Sequence, residues 1–317
     1  MSGSSRASLA LCCALGLAGG GCGQKKQAVS GPAPVVLAPE PASTLTDIHD
    51  LFILRHRAAM GEVAYVRGVI APRLARATEG SDTGRDALRR LAIELALVQG
   101  EAEAASSELL RLSGDVQRLG ASALPEERAI VALLEGALLF HRGRFLEARR
   151  LDLRALSLLE SETRSPMLGD ALRALGRDTL ALNNPNEALE LTLKALSAHR
   201  DAATTEPREV VEDLLLMVEI LLALRLGDEA MIAAGDCYNA AVEGFGSDSL
   251  PHAEALVAVA AATIMRGELG AASSLVGDAL TIQGALQAAQ GDDKAPVSER
   301  LALRLEQLRA LVPASDP

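Results

Sequence analysis

The chain has no tryptophan, two tyrosines and four phenylalanines in 317 residues. So few flat rings exclude the stacking platforms on which bases are held. Lysine is scarce too: Lys25, Lys26, Lys194 and Lys294 are all of it, and the net charge is −11. An acidic chain of this kind lacks the basic footprint that nucleic acid demands. No run alternates Val, Ile and Thr for long enough to make a strand. The five histidines (His49, His56, His141, His199, His252) include no pair at the i, i+4 metal spacing and have no neighbouring cysteine. His49, Asp50 and His56 come nearest to a cluster, without amounting to a ligand set. The glycines around Cys22 stand outside any strand–helix junction, so they form no phosphate loop. Acidic pairs such as Glu126-Glu127 and Asp292-Asp293 begin helices or sit in loops, where helix-start stabilisation accounts for them. On these grounds no cofactor, metal or catalytic residue is assigned, and an enzyme is disfavoured.

What the chain does have is a repeat. Ala105, Ala148, Ala188, Ala230 and Ala272 recur at intervals of 43, 40, 42 and 42. Seven residues after each stand Leu112, Ala155, Ala195, Cys237 and Ala279; five before each stand Gly100, Gly143, Asn183, Arg225 and Gly267. An independent column, Pro125, Pro166, Pro207, Pro251 and Pro296, precedes each new apolar-periodic run. The best pair of copies lies between Pro125 and Arg200, where Gly136 and Gly143 precede Ala148 and Ala155, and Gly176 and Asn183 precede Ala188 and Ala195.

Each column has a mechanical reason. Proline is pre-set for the first helical turn, where its missing N–H costs nothing. Gly or Asn between helices accepts the left-handed conformation that ends the first. Small residues inside helices let two backbones approach. The runs between are amphipathic at helical spacing, as in Ile130, Leu133, Leu134, Ala137 and Leu138. One such helix pair cannot bury its own apolar face, so neighbours must stack. The expected helices run at about 84–98, 101–118, 125–142, 144–162, 166–182, 185–199, 207–226, 228–243, 250–266 and 268–289, with a closing helix at 297–312.

The pattern resembles the tetratricopeptide repeat in its long, kinesin-light-chain variety. The resemblance is carried by Gly246-Ser-Asp-Ser-Leu-Pro251-His-Ala-Glu-Ala-Leu256, by Arg266-Gly267-Glu268-Leu269 with Ala272 and Ala279, and by Gly136 through Leu156. The aromatics usual in such repeats are reduced to Phe140 and Phe145. The resemblance implies an all-α, right-handed α-solenoid of antiparallel helix pairs over 81–313. Residues 45–80, broken at Gly61, are expected to form a degenerate capping pair.

Residues 1–22 read as a targeting segment. Arg6 is followed by an apolar stretch from Leu9 to Ala18, too short to span a bilayer, and then by Gly19-Gly-Gly-Cys22. The arrangement resembles a bacterial lipoprotein signal, which implies lipidation of Cys22. Gly19 departs from it, since Leu is usual there, and a plain secretory signal or a cytoplasmic chain stays open. Residues 23–44, with Pro32, Pro34, Pro39 and Pro41, read as an extended tether. Gly23, where no Asp follows the cysteine, leans by resemblance towards the outer membrane. Of four cysteines, Cys12 and Cys13 fall within the signal, and Cys237 shares the small-residue column, so it is expected to be buried.

The functional expectation is a non-catalytic scaffold for a protein or peptide, held at the bacterial envelope by lipid alone and facing the periplasm, where it assists assembly of an envelope complex. The alternative is a repeat module that senses a peptide or small ligand and signals to a partner. In tetratricopeptide solenoids the first helix of each pair lines the concave face. By that resemblance the groove holds Arg90 with Glu94, Ile130 and Leu133, Phe140 and His141, Arg173 and Arg177, and Leu215 and Glu219. Arg173 and Arg177, one turn apart, are expected to grip an acidic segment that carries an apolar anchor, unless Asp170 or nearby glutamates neutralise them.

Overall fold

The computed structural model describes residues 48–76, 83–161, 164–202, 206–291 and 296–312. The expected signal at 1–22 with Cys22 and the expected tether at 23–44 lie outside the described residues. Thirteen α-helices are found among the described residues: α1 (Ile48–Met60), α2 (Val63–Arg76), α3 (Thr83–Val98), α4 (Ala102–Leu119), α5 (Pro125–His141), α6 (Phe145–Leu159), α7 (Pro166–Ala181), α8 (Pro185–Asp201), α9 (Pro207–Ala223), α10 (Gly227–Phe245), α11 (Leu250–Met265), α12 (Leu269–Ala289) and α13 (Glu299–Arg309). None is long and apolar enough to cross a membrane.

The repeat columns determine this architecture. Ala105, Ala148, Ala188, Ala230 and Ala272 are all fully buried, as are Ala155, Ala195, Cys237 and Ala279. Burial pushes the Cys237 thiol up to about 12, which makes it an inert packing group. Proline occupies the first helical turn of α5, α7, α9 and α11. The turn column is uniform in backbone: Gly100, Gly143, Asn183, Arg225 and Gly267 all have φ between +62° and +81°. Arg225 thus keeps the left-handed turn with a side chain that makes it costly, by about 1–2 kcal/mol.

Helices pack as consecutive antiparallel pairs, and α3, α5, α7, α9, α11 and α13 also touch one another in series. That closer row is the inner, concave one; α4, α6, α8, α10 and α12 form the outer row. Helix α1 reaches further than an end cap would. It contacts both α3 and α11, Ala59 joins the core of α9–α11, and one apolar cluster ties Leu54, Val63 and Val66 to Leu256, Val297 and Leu301. His56 stacks on Phe245 with ring centroids 5.4 Å apart, a packing role for a residue considered above as a metal ligand. The two ends of the repeat array are therefore joined across the inner side.

Candidate functional site: the concave face

Three polar residues interrupt the buried stripes of two helices, and each has room made for it. On α8, Thr192 and His199 share the face of Ala188 and Ala195; on α6, Asp152 lies between Ala148 and Ala155. Across from them stand Gly176, Gly169 and Gly136, where a Cβ would collide with Thr192, His199 and Asp152 respectively. These glycines serve less to bring backbones together than to accommodate a polar side chain from the second helix of the pair.

His199 is fully buried at the centre of an ionic network. Its Nδ1 lies 2.6 Å from Asp213 Oδ2 and its Nε2 lies 3.6 Å from Asp170 Oδ1. Burial works against a charged ring, but the carboxylate of Asp170 and the hydrogen bond with Asp213 outweigh it and bring His199 up to about 9. Arg173 bonds Asp170, and its guanidinium is 3.3 Å from both Glu212 and Asp213. Arg90 extends the network, 2.7 Å from Glu94 and 3.8 Å from Asp170, and Arg208 is 2.7 Å from Glu212. Arg55 of α1 completes it against Glu94 and Glu206.

This arrangement corrects the expectation for the two groove arginines. Arg173 is already gripped by three carboxylates. Arg177 lies over the Phe140 ring, 4.2 Å from its centroid, with Nε 3.9 Å from Asp178. Arg173 does not stand open for a ligand carboxylate, because Glu212 and Asp213 arrive from the next repeat; Arg177 is one-third exposed and turned onto the Phe140 ring. The remaining groove candidates divide in the same way. Arg90 sits in the network; Ile130 and Leu133 pack in the core between α5 and α7; Phe140 also packs against Phe145; and His141 faces Glu299 at 3.9 Å. Burial and the nearby Arg177 charge hold His141 below its ordinary value.

Only Leu215 and Glu219 reach an open cleft. It lies between α9, α11 and α13, with an apolar floor that includes Leu215, Val218, Leu222, Val257, Ala261 and Leu301. Its cavity is about 50 Å³, room for roughly one or two waters, or for the tip of an aliphatic side chain. Two ion pairs rim it: Arg304 with Glu219 at 2.7 Å and Arg300 with Glu254 at 2.9 Å. Arg300 and Arg304 are one turn apart and almost half exposed. They reproduce on α13 the paired arginines expected on α7.

Asp170, His199 and Glu209 bring three potential ligand atoms within 4.8 Å of one another. The pairing of Asp170 with Arg173 and the raised proton affinity of His199 both compete with a cation there. Sequence spacing could not find this group, since its members come from α7, α8 and α9.

A family model described as tetratricopeptide repeat matches residues 127–201. No curated protein sequence matches the chain. Among solved structures, BtubC (BKLC) from P. vanneervenii is 14% identical, with 79% of this chain and 95% of that chain covered at a TM-score of 0.51. The apo form of RapI is 11% identical over 85% and 77% of the two chains, at 0.52. NprR in complex with its cognate peptide NprX is 13% identical over 85% of each, at 0.51. With the repeat columns, the concave row and these likenesses in agreement, residues 127–201 are tetratricopeptide repeats and the fold as a whole is a tetratricopeptide-type α-solenoid.

Proposed function

We propose that the protein is a non-catalytic scaffold that captures a peptide segment at the cleft between α9, α11 and α13. The observation that carries this is the cleft itself: one apolar socket flanked by Arg300 and Arg304, of which Arg304 holds only the partly exposed Glu219. Ion pairs at solvent-exposed rims contribute little, about 0–1 kcal/mol. Arg304 can therefore exchange Glu219 for a carboxylate of a ligand at small cost, while Arg300 stays with the nearly buried Glu254. The partner class is an apolar anchor residue beside acidic residues. NprR, solved with its peptide NprX, supports the same use of a similar fold.

Selection from a random peptide library on the purified chain is expected to enrich Leu, Ile or Met flanked by Asp or Glu. Filling the socket by Ala261→Leu, or removing the rim charge by Arg304→Ala, should each weaken the selected peptides at least about tenfold, equivalent to about 1.4 kcal/mol, at unchanged helicity. Retained affinity in both variants would place binding elsewhere.

We propose further that the scaffold is held at a bacterial envelope through lipid on Cys22. The support is the resemblance of residues 1–22 to a lipoprotein signal. Cys22→Ser should abolish fatty-acid labelling and release the protein from membranes; an unlabelled wild-type chain in a lipoprotein-competent bacterium would refute the anchor.

A further inference from the structure

One register position links the cleft to the neighbouring inner helix. Eleven residues before the buried alanines Ala188, Ala230 and Ala272 stand Arg177, Glu219 and Ala261. Glu219 and Ala261 line the cleft; Arg177 holds the same position one inner helix earlier, on α7. It differs from the other arginines of the inner side. Arg90, Arg173, Arg208, Arg300 and Arg304 each hold a carboxylate at 3.3 Å or closer. The one ion-pair contact of Arg177 among the described residues is Asp178, whose Oδ1 is 3.9 Å from Nε, and Nε makes no hydrogen bond.

That contact is a weak one. Burial raises the proton affinity of Asp178, and burial with the Asp178 carboxylate lifts Asp152 beside it to about 8, so the pair is not fully ionised at neutral pH. Burial of Arg177 outweighs the carboxylates around it and lowers its own proton affinity, which marks a cation whose charge is incompletely compensated. Phe140 supports the guanidinium, with Cζ 4.2 Å from the ring centroid. A ring attracts the cation without occupying its N–H donors, and a third of the side chain is exposed.

We infer, resting on the reading of the cleft given above, that Arg177 is a second subsite for the same peptide and takes a carboxylate through its forked donors while the apolar anchor fills the socket. Neighbouring inner helices lie ~9 Å apart, so Arg177 is about one and a half spacings, ~13 Å, from the socket between α9 and α11. An extended peptide covers that distance in about four residues at ~3.3 Å each. The ligand therefore carries one acid beside the anchor, facing Arg304, and a second about three to five positions away on the α7 side. Glu219 stands between the two arginines and disfavours an acid at the intervening positions.

The test is a double-mutant cycle on library peptides whose loss of affinity in Ala261→Leu shows that they use the socket. Changing the distal Asp or Glu to its amide should weaken binding to the wild-type chain about five- to tenfold. The same change should cost less than about twofold in Arg177→Gln, and an intermediate factor in Arg177→Lys, which keeps the charge but not the fork. Free and amidated peptides separate the two sources of the carboxylate: loss on amidation assigns a chain terminus, indifference an acidic side chain. Melting curves check both variants, and the peptide-side change on the wild-type chain reads the subsite even where a variant melts early. Socket-dependent peptides without a distal acid, or whose distal acid matters as much in Arg177→Gln as in wild type, overturn the subsite and leave the cleft standing. A library with no socket-dependent peptide overturns both.

Discussion

Asp152→Asn should leave stability unchanged near pH 4 and raise it on the order of 3–5 kcal/mol above about pH 8. Asp152 on α6 and Asp178 on α7 are both fully buried. Burial first, and then the carboxylate of Asp178, push Asp152 up to about 8; burial likewise raises Asp178. With both ionised, neither carboxylate has a hydrogen-bond donor. With one proton between them they bond each other, so the pair holds that proton at neutral pH. The native proton affinity exceeds that of the unfolded chain. The associated stability is therefore complete below about pH 4 and is lost as pH rises through about 8. An asparagine supplies the neutral donor permanently, so the variant lacks this loss. Chemical denaturation of both proteins from about pH 4 to about pH 9 reads the difference directly. Parallel curves would mean that both carboxylates stay ionised in the fold.

Neither of those aspartates was picked out by chemistry-seeking motifs, yet the repeat already marks them. Counting from Ala148 places Asp152 on the buried stripe, and counting from Ala195 places His199 there. A charged residue at a buried register position, opposite a glycine in the paired helix, is the signal that was available. The helices themselves were legible because their causes are local: proline at the first turn, a left-handed residue at the end, apolar spacing between. The long-range placements were not. Arg173 and Arg177 lie on α7 of the inner row, but the neutralisation of Arg173 depends on Glu212 and Asp213, and the placement of Arg177 on Phe140, all from neighbouring repeats. That α1 would cross to α11, and that α13 would make the cleft, depends on the curvature summed over the whole array. No segment of sequence carries that sum.

His199→Gln should cost most in mildly acidic solution and progressively less as pH rises. The imidazole is raised to about 9 by Asp170 and Asp213 against the opposing effect of burial, so the native state favours the charged ring. Its contribution is full below the unfolded value near 6.5 and is lost as pH passes about 9. Glutamine keeps a donor beside Asp213 but no charge. The expected penalty is about 2–3 kcal/mol near pH 6, less than half of that near pH 9.5. Removing the other partner is harsher: Asp213→Ala leaves Arg173 and His199 without their shared carboxylate and should cost about 3–5 kcal/mol near neutrality. Asp152 and His199 destabilise the native chain in the same alkaline direction. At the acid end Glu212 acts oppositely: although burial resists its charge, Arg208 and Arg173 bring it down to about 2, so its stability is lost as pH falls below about 4. From these three groups, stability rises with pH to about 4.5 as Glu212 ionises and falls above it, first through Asp152 and then also through His199. In the combined Asp152→Asn/His199→Gln variant the alkaline limb should flatten, with the two effects adding if the sites are independent. A His199→Gln penalty equal at pH 6 and pH 9.5 would show an uncharged ring, and with it a network held by Arg173 alone.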